Sequence, residues 1–176
     1  MKKTRALFIG RFQPFHHGHY EAIKRLLTIH DEVIVVIGSA EESNTSNNPF
    51  TSGERIQMVR AAFDAKPLAR LIIVPVRDLN DHTRWVTHVR SYVPEFDIVY
   101  SNNELVARLF KEAGYKAEGM DFIDRGTNEG KFVRSLMKRG SDDWKKHVPN
   151  GVAEFLESID AVGRLKSIEG SSRSSK

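Results

Sequence analysis

The stretch Arg5-Ala-Leu-Phe-Ile-Gly-Arg-Phe-Gln-Pro-Phe-His-His-Gly-His19 decides the fold, because it passes from a strand pattern to a helix pattern within a few residues. Residues 5–9 form a short apolar run that is typical of a buried strand. Gly10 ends this run, Pro14 stiffens the turn that follows, and a helical pattern begins at residue 18. The stretch therefore predicts a strand–turn–helix unit in which polar residues follow the carboxyl end of the strand.

The alternation of strands and helices continues along the chain. Short runs rich in Val, Ile and Phe predict strands at residues 5–9, 32–37, 71–76 and 96–100. Apolar spacing predicts helices at residues 18–28, 53–63, 83–92, 103–113, 130–138 and 152–159. The second of these opens with Thr51-Ser-Gly-Glu54, a capping-box pattern. The order predicts an α/β fold, an open parallel sheet with helices on both faces and a helical C-terminal extension.

Length and composition limit the class of protein. The 176 residues, 40% hydrophobic and 28% charged, suit one globular domain at residues 1–168, and the Ser-rich residues 169–176 are expected to form a disordered tail. The sequence contains no cysteine, which excludes disulfides, zinc–thiolate sites and cysteine nucleophiles. The apolar run near the N-terminus is too short for a secretory signal, and no segment approaches membrane-spanning length. We therefore expect a cytoplasmic protein without a membrane partner.

The charge of the chain raises the question of nucleic-acid binding, since the formal net charge is +4 and the isoelectric point is near 9.4. The basic residues are spread along the chain, and part of the excess lies in the terminal Arg173 and Lys176. We interpret them as a solvated surface and expect no nucleic-acid partner. A modest positive field also suits a small substrate that carries phosphate.

The segments that follow the predicted strands are where an open parallel sheet binds its ligands. They are residues 10–19, 38–50, 77–85 and 101–103, joined by residues 124–134 of the extension, and the unusual residues of the chain fall within them. This agreement predicts a ligand site built from several loops.

The first of these segments carries groups suited to a phosphate. Gly10 lets a phosphate approach the backbone, and the guanidinium of Arg11 matches phosphate oxygens. His16 and His19 stand at the start of a predicted helix, whose free amides favour anions. Two imidazole donors at one point could hold an α-phosphate and stabilise charge as it transfers. A metal site is the alternative, but no carboxylate lies among these histidines.

Two common nucleotide motifs are missing. Gly126-Thr-Asn-Glu-Gly-Lys131 resembles a P-loop with one residue too few between the glycines, and Phe132 stands where the motif needs Ser or Thr. No Gly-x-Gly-x-x-Gly follows the first strand, which argues against a dehydrogenase.

The first turn resembles a known family. Gly10-Arg-Phe-Gln-Pro-Phe-His-His-Gly-His19 is similar to the opening of archaeal-type nicotinamide-nucleotide adenylyltransferases, in the H-x-G-H nucleotidylyltransferase superfamily. Pantetheine-phosphate adenylyltransferases and cytidylyltransferases typically show Gly-Thr-Phe-Asp there, so Arg11 and Gln13 favour the nicotinamide branch. The resemblance covers about the first 165 residues and continues through Ile37-Gly-Ser39, Asn48-Pro-Phe-Thr-Ser-Gly-Glu-Arg55, residues 76–85, Tyr100-Ser-Asn-Asn103 and Val133-Arg134.

The resemblance implies a Rossmann-like domain that joins ATP and nicotinamide mononucleotide (NMN) to give NAD and pyrophosphate. It also implies Mg²⁺ bound through the substrate phosphates, and a homo-oligomer, commonly a hexamer. In such enzymes the phosphate of NMN attacks the α-phosphate of ATP directly, so positioning and electrostatics supply most of the rate.

Motif matching assigns roles to individual residues. The catalytic residues implied are His16, His19 and Arg11. The residues implied to bind ATP are Gly10, Phe12, Gly18, Ser39, Asn103 and Arg134. Those implied to bind NMN are Asp78, Asn80 and Trp85, and no side chain is expected to hold the metal.

Some of these positions have an ordinary structural interpretation or depart from the family. Trp85 is spaced with Val89 as a core residue would be, and Asn103 could serve only to cap the next helix. Asn47-Asn48 stand where relatives usually carry an Arg-Asp pair, and Lys131 lies in a phosphate motif that usually offers hydroxyls. Lys131 could replace the positive charge missing at Asn47.

Two other functions compete with NAD synthesis. A relative in the superfamily could use another phosphorylated acceptor of the flavin or pantetheine type. The altered phosphate motifs would also suit a nucleotide-binding or nucleic-acid-binding protein with weak catalysis, although the chain lacks a basic stripe.

Overall fold

The computed structural model describes residues 3–79, 81–120 and 129–173. The strands are β1 (Arg5–Gly10), β2 (Glu32–Ile37), β3 (Leu71–Pro75), β4 (Ile98–Tyr100) and β5 (Lys116–Glu118). The helices are α1 (His17–Ile29), α2 (Ser52–Ala61), α3 (Ala65–Leu68), α4 (His82–Tyr92), α5 (Glu104–Glu112), α6 (Gly130–Lys138), α7 (Asn150–Ser158) and α8 (Ala161–Arg173), with a 3₁₀ helix at Asp142–His147. Within the described ranges, no helix combines the length and the apolar character that a membrane crossing requires.

The strands form one parallel sheet in the order β3-β2-β1-β4-β5. β1 pairs with β2 along its whole length, from Arg5 opposite Glu32 to Gly10 opposite Ile37, and its other edge pairs with β4. The strand order therefore reverses at β1, and sheets of this kind bind ligands beyond the carboxyl ends of the strands at the reversal. Gly10 and Ser101, at the ends of these two strands, mark that place.

Both faces of the sheet are buried, as the continuous apolar runs predict. On one face, strand residues pack with α4 and α5 in a cluster of Leu7, Ile34, Val36, Val76, Val86, Val89, Val99, Phe110 and Ala117. Residues of the opposite parity, such as Ala6 and Val33, are buried as well. The predicted α/β fold with a parallel sheet is confirmed.

The chain divides into two compact units. The sheet unit comprises Met1–Arg11, Glu21–Ala40 and Ala65–Ile123. The helical unit comprises Phe12–Tyr20, Glu41–Asp64 and Asp124–Lys176. The sequence predicted one domain at residues 1–168 and did not indicate this division.

The helical unit has its own core, in which α2 packs against α7 and α6 packs against α8. Its buried apolar residues include Met58, Val59, Phe63, Val133, Met137, Trp144, Val148, Val152, Leu156 and Leu165. A Cβ added at Gly151 would collide with the carbonyl oxygen of Ala61, so α7 approaches α2 as closely as a glycine allows.

Each predicted strand and helix is observed, with ends within two residues of the predicted ones. β4 begins at Ile98 rather than at Phe96, whose ring instead packs against Tyr115. Strand β5, helices α3 and α8 and the 3₁₀ helix were not predicted.

Helix α8 extends to Arg173, so residues 169–173 are helical where we expected a disordered tail. Glu169 forms an ion pair with Lys138 of α6 at 2.8 Å, and Leu165, one turn earlier, is fully buried. Packing of this kind stabilises a helix whose Ser- and Gly-rich sequence would not form one alone.

Candidate active site

The turn that follows β1, residues 12–19, is called the histidine turn below. It begins with Phe12, whose φ of 52° lies in the left-handed region. That conformation costs a bulky residue of order 1–3 kcal/mol, and such outliers cluster at ligand sites. The Phe12 ring is buried and meets the ring of His19 edge-on, with 4.7 Å between centroids.

The histidine turn brings its two predicted catalytic side chains together. The rings of His16 and His19 stack with 3.6 Å between centroids and 24° between planes. The backbone N–H of His16 donates to Nδ1 of His19 at 3.3 Å. Because Nδ1 of His19 accepts, a neutral His19 carries its proton on Nε2, where it can donate to a ligand.

Both imidazoles are held neutral. Burial, together with the neighbouring His17, lowers the pKa of His16 from 6.5 to about 3. Burial likewise lowers the pKa of His19 well below 6.5, with His16 adding to the effect. At pH 7 the pair therefore offers N–H donors rather than positive charges.

One atom of the pair lacks a hydrogen bond. Nδ1 of His16 is buried and has no hydrogen-bond partner within the described ranges. Buried polar atoms are nearly always hydrogen-bonded in folded proteins, so this atom indicates a ligand position. Helix α1 begins at the next residue and has no acidic side chain in its first turn. The arrangement therefore suits an anion, which the helix N-terminus also favours.

Gln13 ties the histidine turn to the loop that precedes α2. Its side-chain amide donates to the carbonyl of Phe50 at 2.9 Å, and its side-chain oxygen accepts from the N–H of Phe50 at 3.0 Å. Both residues are buried, with Gln13 only 4% exposed. This pair of hydrogen bonds fixes the turn through an interaction 37 residues apart in sequence.

Helix α6 reaches the same turn from the C-terminal part of the chain. Nη1 of Arg134 donates to the backbone oxygen of Gln13 at 2.5 Å. A Cβ at Gly130 would lie 2.8 Å from that same oxygen, which is closer than real Cβ atoms come. The glycine therefore allows α6 to approach, and the approach places Arg134 beside the histidine turn.

The sheet unit brings together two residues that the sequence assigned to different substrates. Oγ of Ser39 donates to Oδ2 of Asp78 at 2.6 Å. Ser39 follows β2 and has a φ of 48°, a second non-glycine residue in the left-handed region just beyond a strand. The N–H of Gly38 donates to the carbonyl of Gly10 at 2.9 Å, so the loops after β1 and β2 start side by side.

Comparison with known proteins agrees with this geometry. The chain matches the cytidylyltransferase-like family over residues 7–152. It is 46% identical over 171 residues to a nicotinamide-nucleotide adenylyltransferase of Archaeoglobus fulgidus, covering 94% of this chain and 98% of the relative. It is 45% identical over 167 residues to the enzyme of that name from Picrophilus torridus, covering 95% and 98%. The chain belongs to the nicotinamide-nucleotide adenylyltransferase family.

A solved structure shows the same fold. It is a bifunctional NMN adenylyltransferase/ADP ribose pyrophosphatase from Francisella tularensis, complexed with AMP and an Mn ion. The TM-score is 0.72 at 22% identity, and the alignment covers 94% of this chain and 52% of that one. The chain therefore spans about half the length of that protein, and the likeness confirms the Rossmann-like fold alone.

Membership of the adenylyltransferase family makes the chain a nucleotidyltransferase, as the first turn predicted. Among the residues assigned by motif, Arg11 is exposed and Gly18 is buried. Asn47 and Lys131, which both depart from the family pattern, are exposed. Asn80 lies outside the described residues.

The two residues with competing interpretations show their structural roles. Trp85 is half-buried, and its ring meets that of Phe110 edge-on at 5.8 Å, at the edge of the core cluster. Oδ1 of Asn103 accepts from the N–H groups of Leu105 and Val106, at 3.0 and 3.3 Å, and caps α5. The cap is confirmed, while substrate contacts of Trp85 and Asn103 stay predictions.

Asn48 was not predicted as a site residue, although it forms part of the Asn47-Asn48 departure from the family pattern. This residue is only 9% exposed, and its Oδ1 has no hydrogen-bond partner in the described part of the chain. Its backbone forms a tight turn with Thr45, accepting from the Thr45 N–H at 3.2 Å and donating to Oγ1 at 3.0 Å. An Asn before Pro is common in turns, so the sequence alone contains only a weak signal.

The described residues contain no group of three or more His, Asp or Glu side chains that could hold a metal ion. In the sheet unit, the carboxylate of Asp78 accepts a hydrogen bond from Ser39. Neutral imidazoles and N–H groups suit phosphate oxygens, and a metal held through those phosphates fits this donor set better than one held by side chains.

Proposed function

We propose that the chain transfers the AMP group of ATP to NMN, giving NAD and pyrophosphate. The observation that carries the proposal is the stacked, neutral pair of His16 and His19 at the start of α1, with Nδ1 of His16 unpartnered within the described ranges. Membership of the nicotinamide-nucleotide adenylyltransferase family supports NMN as the acceptor.

ATP binds through its phosphates. Nδ1–H of His16 and Nε2–H of His19 donate to oxygens of the α-phosphate, and Arg11 orients the chain of phosphates. Arg134, fixed by its hydrogen bond to Gln13, binds the β- and γ-phosphates. A neutral histidine pair is a preorganised donor set, which needs no rearrangement as charge develops in the transition state.

The nucleoside of ATP lies against the backbone at the ends of the strands. The residues proposed to line this position are Gly10, Phe12, Gly18, Ser39 and Asn103. The left-handed backbones of Phe12 and Ser39 support this assignment, because strained residues of this kind cluster at ligand sites.

NMN binds near Asp78, Asn80 and Trp85. The half-buried ring of Trp85 packs on one side against Phe110, so its orientation is fixed and an exposed edge remains for a flat carboxamide ring. The carboxylate of Asp78 is oriented by Ser39. An oriented carboxylate and an aromatic ring together favour a planar acceptor that carries N–H or O–H donors.

The reaction is a single displacement at phosphorus. An oxygen of the NMN phosphate forms a bond to the α-phosphorus of ATP, the bond from that phosphorus to the α–β bridging oxygen breaks, and pyrophosphate leaves. The attacking phosphate is already an anion, so the step needs no general base. Positioning of the two phosphates and stabilisation of the developing charge by the histidines supply the rate.

A divalent cation, which we take to be Mg²⁺, accompanies ATP and neutralises charge on the β- and γ-phosphates. The Mn ion in the Francisella tularensis structure supports a divalent metal. Removal of divalent metal with a chelator should abolish turnover, and added Mg²⁺ should restore it.

We further propose a cytoplasmic homo-oligomer. The lack of cysteine suits a reducing compartment, and the family resemblance supports assembly into hexamers or other homo-oligomers.

An acceptor panel tests the proposed function. Purified protein is supplied with ATP and Mg²⁺ and with NMN, a flavin phosphate or phosphopantetheine in separate reactions, with CTP replacing ATP in a parallel set. We expect NAD to form with ATP and NMN and little turnover elsewhere. Turnover with a different acceptor and none with NMN would overturn the proposal.

A further inference from the structure

The loop between β2 and α2 is held at both ends by contacts that the reaction itself does not explain. Residues 45–51, called the 45–51 loop below, begin with the tight turn between Thr45 and Asn48. They end in the capping box of α2, where Thr51 and Glu54 accept hydrogen bonds from each other's backbone N–H. Phe50, inside the loop, is fully buried.

The 45–51 loop contacts the histidine turn directly. Phe50 forms two backbone hydrogen bonds with the side chain of Gln13, and the backbone oxygen of Gln13 accepts from Arg134. A displacement of the loop would therefore shift the turn that carries His16 and His19. Small displacements of this kind are costly, since an error of about 1 Å at a reacting group can lower a rate about a hundredfold.

Arg164, on the C-terminal helix α8, contacts both the 45–51 loop and the first turn of α2. Its Nη1 donates to Oε2 of Glu54 at 2.7 Å and lies 3.5 Å from the carbonyl of Pro49. Its guanidinium carbon lies 6.0 Å from the centre of the Phe50 ring. Oε2 of Glu54 accepts hydrogen bonds from both Arg164 and the N–H of Thr51. The Glu54 side chain therefore connects α8 to the helix cap that ends the loop.

The surroundings of Glu54 favour its ionised form. Burial raises the pKa of Glu54, but hydrogen bonds from Arg164 and Thr51 outweigh it, and the pKa is lowered from 4.5. Both side chains of the pair are about three-quarters or more buried, with exposures of 25% for Arg164 and 19% for Glu54. Partly buried Arg–carboxylate pairs fix geometry better than exposed ones do.

A second contact from α8 reaches the other end of the loop. Glu169 pairs with Nζ of Lys138 at 2.8 Å, and the same Nζ donates to Oγ of Ser46 at 3.0 Å. Lys138 is on α6, one turn after Arg134. Helix α8 thus contacts the loop through Arg164 at one end and through Glu169 and Lys138 at the other.

We propose that α8, acting through Arg164, is a positioning element of the active site that holds the 45–51 loop, and through Gln13 the histidine turn, in the geometry that binds ATP. The inference rests on the proposed adenylyl transfer. Arg164 itself touches no substrate in this account.

The test compares Arg164→Met with Arg139→Met. Arg139 is an exposed arginine of the same unit, and its guanidinium donates to Ser135, one turn earlier in the chain. We expect Arg164→Met to lower kcat for NAD formation by roughly tenfold to a hundredfold and to raise KM for ATP, with KM for NMN unchanged. Arg139→Met should stay within about twofold of the parent in each constant, as surface substitutions usually do.

The readouts separate positioning from loss of fold. Circular dichroism and thermal melting establish that each variant is folded at the assay temperature, and a uniform loss of folded enzyme would lower kcat without changing either KM. Arg164→Lys is the second variant: its ammonium keeps the pair with Glu54 but not the planar contacts, so activity should be partly restored.

A folded Arg164→Met with parental kcat and KM for ATP would overturn the inference while leaving the proposed function intact. If Arg164→Met does not fold, a folded Arg164→Lys with parental constants would overturn it, and a reduced kcat together with a raised KM for ATP in that variant would support it. A parent protein that makes no NAD would overturn both proposals.

Discussion

At the scale of the residue, His16 and His19 show how little of a sequence is needed to bring two side chains together. They are three residues apart across a glycine, and the structure stacks their rings 3.6 Å apart. Local spacing at a helix start decides this contact, so the sequence predicts it. The partner of Gln13 could not be predicted in the same way, because Phe50 is 37 residues away and only the tertiary fold brings the two together.

The histidine pair leads to a prediction with a neighbouring control. His19→Ala removes the Nε2–H donor, and we expect kcat for NAD formation to fall by on the order of a hundredfold or more, as loss of one transition-state donor does. The control is His17→Ala, at the residue directly after His16. The ring of His17 meets the ring of Tyr20, with 6.5 Å between centroids. Its kcat should stay within about twofold of the parent. Equal losses in the two variants, or an unchanged kcat in His19→Ala, would remove His19 from the catalytic role.

At the scale of the element, helices and strands are predicted where their own residues determine them. Residues 6–9 of β1 and 33–37 of β2 are all apolar because a parallel sheet buries both faces. Strand β5 was not predicted because only Ala117 of its three residues is buried, so it has no apolar run. Helix α8 was not predicted because its C-terminal half is rich in Ser and Gly. Contacts with α2 and α6 stabilise it, and these depend on the tertiary fold.

Two substitutions at Asn103, the N-cap of α5, distinguish its role as a helix cap from its proposed role in ATP binding. Asn103→Ala removes the N-cap and should lower the free energy of unfolding by about 1 kcal/mol. Asn103→Ser keeps a capping oxygen, so its stability should remain close to the parent's. If Asn103 also binds ATP, as proposed, both variants raise KM for ATP because both lose the amide. Chemical denaturation and steady-state kinetics measure the two effects, and a parental KM in Asn103→Ser would leave Asn103 as a helix cap alone.

At the scale of the whole molecule, His16 and His19 link protonation to stability. In the folded protein the pKa of His16 is about 3 and that of His19 is well below 6.5. In the unfolded chain both titrate near 6.5. The unfolded state therefore binds more protons once the pH falls below about 6.5, so the folded protein loses stability as the pH falls from there toward 3.

This linkage is measurable between pH 6.5 and 5, where most carboxylates remain ionised. Each histidine contributes a slope of up to about 1.4 kcal/mol per pH unit, reached well below pH 6.5. His19→Asn should show a shallower fall in the free energy of unfolding than the parent over this interval. Parallel pH dependences in the two proteins would contradict the neutral state of His19.

The division into a sheet unit and a helical unit also belongs to this scale. The units interleave along the chain, since residues 12–20 and 41–64 leave the sheet unit and the chain then returns to it. No composition shift or linker marks these crossings, so the sequence could not predict them. The family match, over residues 7–152, includes parts of both units.

The central claim is that this chain moves the adenylyl group of ATP directly to NMN. The most direct measurement follows ATP labelled at the α-phosphorus, and separately at the γ-phosphorus, through a single turnover with NMN and Mg²⁺. We expect the α-label to appear in NAD, the γ-label to appear in pyrophosphate, and no label to be bound to the protein. Transfer of the γ-label to the acceptor, or label retained covalently on the protein, would contradict the claim.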